Sequence, residues 1–170
     1  MTKQPDKRST KVVLSLFVYS RGVGVAVMED AITVLNAYNV VVHKYPIKNE
    51  KLLEKIKEKI DFYHPEVVIL ENSEGYGSRK SKRVQNIIKL IEEHAKFKSI
   101  SITKYSRNDI RFVFASFNAH SKYEIAKAIS ENVKRLPVRL PEKRKSHEPE
   151  HYSMTIFDAI SLGITHYYQT

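Results

Sequence analysis

Cysteine is absent from the 170 residues, so the chain can form neither a disulfide nor a thiolate metal centre. That excludes structural zinc of the usual kind and fits a reducing cytosol, so a cytoplasmic location is expected. No apolar run approaches the roughly 20 residues that cross a bilayer, and no membrane partner is expected. The opening MTKQPDKRST lacks the apolar segment of a signal peptide, and residues 1–10 read as a disordered lead-in. Acidic residues are also scarce, with 19 Asp and Glu against 29 Lys and Arg. The resulting charge of +10 points to a polyanion, because each phosphate neutralised releases condensed counterions.

The remainder, residues 11–170, has the size of one domain with its own core. KVVLSLFVYS is an almost unbroken apolar run, as expected of a central strand buried on both faces. After the SRG turn, VGVAVME and AITVLNAYNVVVHKY supply two further strands and complete an antiparallel meander. Asn49 is placed to cap EKLLEKIKEKIDFY, whose Leu52, Leu53, Ile56, Ile60 and Phe62 recur at helical spacing. EVVILE, after Pro65, is a short apolar strand expected to lie parallel to the first.

The glycine- and serine-rich NSEGYGSRKSKR reads as a loop leading into the helix VQNIIKLIEEHAKF, and Ser99 to Tyr105 as a fifth strand. Ser106 with Asp109 and Ser121 with Glu124 are capping boxes, opening a short helix through Phe114 and the helix YEIAKAISENVKRL. Pro137 to Pro149 reads as a flexible basic loop, ordered on a partner if at all. SMTIFDAISLGITHYY is a mostly apolar final helix. The whole is an α/β domain with a five-stranded mixed sheet and helices on both faces.

Two acids stand in unusual places. Glu71 ends an apolar strand, and Asp158 lies among Ile156, Phe157, Ala159 and Ile160. Acids are rarely buried without a counter-charge, a hydrogen bond or a metal, so both positions require a partner. Taken singly, Glu71 also reads as a strand-end carboxylate in water and Asp158 as a helix acid near the N-terminal dipole.

The order of elements resembles the RNase H-like superfamily, and within it the RuvC-like Holliday-junction resolvases. The resemblance rests on LSLFVYSRGVGVAV as the first hairpin, PEVVILE as the glutamate-bearing fourth strand, HSKYEIAKAI after the fifth strand, and FDAISLGITH as the final helix. It implies an RNase H-like fold, action as a homodimer, and carboxylates that hold Mg²⁺ for phosphodiester hydrolysis. In that scheme Glu71 and Asp158 take catalytic and metal-ligating positions. Phe17 and Thr155 fall where the family has its other two aspartates. Neither replaces a carboxylate, and recruitment of Glu74, Glu148 or Glu150 would have to make good the loss. Weak binding of one Mg²⁺ through one or two carboxylates plus substrate phosphate is compatible with this set. Efficient two-metal cleavage is not expected.

Arg79, Lys80, Lys82 and Arg83 follow closely on Glu71 and open a helix, a pattern suited to phosphate contact. Arg139, Lys143, Arg144 and Lys145 form a second basic arm on the proline-flanked loop. The expected partner is nucleic acid, DNA rather than RNA, of structured or branched form. The rival expectations are an active Mg²⁺-dependent endonuclease and a protein-interaction module on the same fold.

Overall fold

The computed structural model describes residues 11–42, 49–73 and 80–170. Five strands, β1 (Val13–Tyr19), β2 (Gly22–Asp30), β3 (Thr33–Val41), β4 (Val67–Glu71) and β5 (Ser101–Tyr105), form one sheet in the order β3-β2-β1-β4-β5. The first three make the antiparallel meander, while β4 pairs parallel to β1 and β5 parallel to β4. The five helices are α1 (Asn49–Tyr63), α2 (Lys82–Phe97), α3 (Arg107–Ala115), α4 (Lys122–Asn132) and α5 (Met154–Gln169). No described helix is long and apolar enough to cross a membrane.

The near-continuous hydrophobicity of β1 follows from its central place. Leu14, Leu16 and Val18 face α1 and α2, joining Leu52, Ile56, Ile60, Ile87 and Ile91 in one core. Val13 and Phe17, one residue out of step, belong to the opposite core beneath α3, α4 and α5. The apolar α5 lies across β1 and β2, and the buried Ser15 hydroxyl donates to the Ala159 carbonyl at 2.5 Å. At Gly24 the backbones come so close that a Cβ would stand 2.3 Å from the Thr155 carbonyl oxygen.

Several boundaries differ from the sequence expectation. Phe62 is 76% exposed rather than part of the buried stripe, because Ile60 already ends that stripe against the sheet. Helix α4 stops at Asn132, where Val133 turns extended and Lys134 N–H donates to the Ile32 carbonyl beside β3. Ser106 and Asp109 form a reciprocal capping box, but at α4 the Glu124 carboxylate accepts from His120 N–H, one residue before the Ser121 cap. The 137–149 segment has no helix or strand, yet it is anchored. Val138 and Leu140 pack on the α5-side core, and the Glu148 carboxylate and carbonyl accept from Lys145 N–H and the Arg144 guanidinium.

Candidate functional site

Parallel pairing brings the C-terminal ends of β1 and β4 to the same edge of the sheet, with Leu16 opposite Leu70. Phe17 and Glu71 follow these residues and line one cleft with Asp158 from the second turn of α5. Its cavity measures about 110 Å³. The two acids singled out in the sequence are therefore brought together.

Each meets an ammonium. Lys80 Nζ stands 2.9 Å from Glu71 Oε2, donates to the Val18 carbonyl at 2.6 Å and lies 4.1 Å from the centre of the Phe17 ring. The two side chains are only 12% and 8% exposed. The carboxylate satisfies the charge, and the face of the phenyl ring adds a quadrupole attraction. On the other wall, Lys122 Nζ is 2.9 Å from Asp158 Oδ2 and donates to Glu150 Oε1 at 2.5 Å. Arg107 completes the cluster, with Nε 3.7 Å from Glu71 Oε1.

Burial pushes the Asp158 carboxyl up to about 6, against the pull of Lys122 and with a further push from Glu150. Burial also opposes the charge on Lys122, but Asp158 and Glu150 outweigh it and raise its pKa. The folded state thus holds the Asp158 proton more tightly than the unfolded chain. This contribution to stability is full below about pH 4 and is lost as pH rises through about 6. Asp30, Asp61 and Glu124, whose carboxyls are held low by hydrogen bonds, titrate in the opposite sense. The profile of Asp158→Asn should consequently gain on that of the native chain as pH rises between about 4 and 6. Urea unfolding across this window checks it, and parallel profiles would contradict it.

The other sequence-derived residues divide by location. Thr155 is engaged away from the cleft, its hydroxyl 2.6 Å from Asn39 Oδ1 and 2.9 Å from the Tyr152 carbonyl. Arg79 and Glu74 lie outside the described residues. Lys80 points inward as the counter-ion of Glu71, and Lys82 is exposed. Arg83 donates to Asn49 Oδ1 and the Ser20 carbonyl, tying α2 to α1 and the β1–β2 turn. Arg139, Lys143, Arg144 and Lys145 are all exposed along the anchored loop.

Arg107, Arg111, His120 and Lys122 were not singled out from the sequence, yet all four line the cleft. Their signal was position. They flank the Ser106 and Ser121 helix starts, with His120 just before the second cap and Arg107 and Arg111 one turn apart on α3. Among the described residues, no group of three or more His, Asp or Glu side chains is arranged to hold a metal ion.

No protein-family model matches the chain, and no curated protein matches it. Solved structures do. RuvC of Thermus thermophilus is 18% identical, with a TM-score of 0.66 over 93% of this chain and 95% of that one. The chain has the RuvC-like RNase H fold. Thermus thermophilus RuvC in complex with a Holliday-junction substrate gives 0.60 at 16% identity, over 94% of both chains. The yeast mitochondrial Holliday-junction resolvase Ydc2 gives 0.63 at 10% identity, over 92% of this chain and 77% of that one. The RuvC-like layout places β1, β4 and the start of α5 around one cleft. In this chain that cleft carries two described carboxylates and a surrounding set of cations.

Proposed function

We propose that this chain is a RuvC-like protein that binds nucleic acid, structured or branched DNA rather than RNA, with little or no nuclease activity. The observation carrying the reading is the pairing of Glu71 with Lys80 and of Asp158 with Lys122. Mg²⁺ takes near-octahedral oxygen ligands, and two-metal hydrolysis needs several carboxylates around both ions. Here two carboxylates are already neutralised by ammonium groups, and the Phe17 ring lies beneath one of them. This donor set does not fit Mg²⁺. The basic composition, exposed Lys82 and the basic loop support the binding role. Action in the cytoplasm as a homodimer belongs to the same reading.

A labelled four-way junction with Mg²⁺ or Mn²⁺ tests it. The native chain should bind the junction without cutting it. Reversing the charges of Lys82, Arg139, Lys143, Arg144 and Lys145 should weaken binding and flatten its salt dependence, since fewer counterions are released. Failure of the native chain to bind the junction would favour a protein-interaction module. One observation favours an active nuclease: Glu150 shares the Lys122 ammonium with Asp158 and so supplies a nearby third carboxylate. Metal-dependent cutting that disappears in Glu71→Gln would establish that alternative.

A further inference from the structure

Resting on this nucleic-acid reading, we propose that the cleft seats a single phosphodiester group through Arg107, Arg111 and Lys122, without a metal ion. Glu71 and Asp158 then serve to aim cations. The two carboxylates and the three Arg and Lys side chains lining the cleft leave one net positive charge. Lys80 and Glu150, just behind them, cancel one another. One positive charge matches one phosphodiester.

The geometry suits that ligand. A cavity of about 110 Å³ is several times the ~10–15 Å³ that a cavity needs to hold one water molecule, and so has room for a compact oxyanion. Arg107 is half exposed and touches Glu71 through Nε, so its terminal nitrogens extend beyond that contact. Arg111 stands one turn further along the same helix. Guanidinium forks pair with phosphate oxygens through two parallel N–H bonds, a geometry an ammonium cannot reproduce. Lys122 is fixed from below by Asp158 and Glu150, which orient its ammonium at the start of α4. The Ser121 cap opens that helix on the cleft, adding the positive end of its dipole.

Lys80 has a different part. With Glu71, the Val18 carbonyl and the Phe17 ring around it, its ammonium is a fixed internal charge. It neutralises Glu71 so that the carboxylate does not repel the incoming anion. Cations can hold a phosphate in this way, but they cannot generate metal hydroxide, so a phosphate seat here entails no cleavage.

Two measurements on the full chain decide the matter. In the first, junction affinity is measured with and without EDTA for the native chain, for Arg107→Ala/Arg111→Ala, and for Lys96→Ala, exposed at the far end of α2, as an off-cleft control. The native affinity should be indifferent to chelator, and the double variant should lose about tenfold or more, the equivalent of one charged hydrogen bond. In the second, inorganic phosphate is titrated at constant ionic strength while side-chain nitrogen resonances are followed by NMR. Saturable shifts at Arg107, Arg111 and Lys122 are expected, and Lys96→Ala should leave them unchanged. Native affinity in the double variant, loss of binding on chelation, or linear unsaturating shifts would each overturn the seat. Saturable phosphate shifts in a chain that does not bind the junction would keep the seat and remove the nucleic-acid reading.

Discussion

Lys80→Met should destabilise the fold by roughly 3–5 kcal/mol, the usual consequence of removing one partner from a buried ion pair. Glu71 ends a strand buried on both faces, and its side chain is 8% exposed. Without Lys80 the carboxylate would be left with Arg107, 3.7 Å away and half exposed, as a counter-charge. Methionine conserves much of the lysine volume and can still pack on Phe17, so the loss would arise from charge rather than from a cavity. The companion variant Lys80→Met/Glu71→Leu removes both charges. It should recover most of the lost stability, because apolar replacement of a whole buried pair is often neutral or favourable. Chemical denaturation of the two variants and the native chain measures this directly. Equal stability of the single and double variants would mean that the unpaired Glu71 carboxylate is not the source of the loss, and native stability of Lys80→Met would mean that the pair contributes nothing. Against a typical total of about 5–15 kcal/mol, the single substitution removes a large part of the folding free energy.

The sheet was legible in the sequence because its signals are local and repeated. The apolar run of β1, the run ending at Glu71 and the Ser-led helix starts each specify one element, and their order leaves few ways to pair the strands. Glu71 and Asp158 were conspicuous for the same reason, as acids inside apolar stretches. Their partners were hidden. Lys80 stands in a serine- and glycine-rich tract and reads as a solvent-facing phosphate contact, whereas the fold turns it onto β1 and β4. Lys122 reaches Asp158 across 36 positions only because α4 packs on α5. Such pairings depend on tertiary approach and leave no periodic trace. The end of α4 was overextended for a related reason. Helical spacing continues through Leu136, but the bond from Lys134 to Ile32 draws the chain towards the edge strand.

The close approach of β2 and α5 makes Gly24→Ala the second substitution expected to have a large effect. An added Cβ would stand 2.3 Å from the carbonyl oxygen of Thr155 and 2.8 Å from its carbonyl carbon, closer than non-bonded atoms can remain. Both are backbone atoms in the first turn of α5, so no side-chain rotation relieves the clash. The start of the helix must move off the sheet, straining the Asn39–Thr155 bond and the packing of Ile156 and Phe157. Overpacking of this kind costs about 1–3 kcal/mol, with more where backbone has to shift. Asp158 lies one turn further along, so the same displacement should loosen its contact with Lys122 and admit water. Burial is the largest cause of the raised value, so its relief outweighs the weakened pull of Lys122, and the carboxyl would titrate below the native value of about 6. The expected result is a lower unfolding midpoint together with a downward shift of the Asp158 titration followed by carbon-detected NMR. A variant with native stability and an unmoved Asp158 would show that β2 and α5 are not held at this distance. A destabilised variant with unmoved Asp158 would confine the strain to the first turn and separate the seating of α5 from the electrostatics of the cleft.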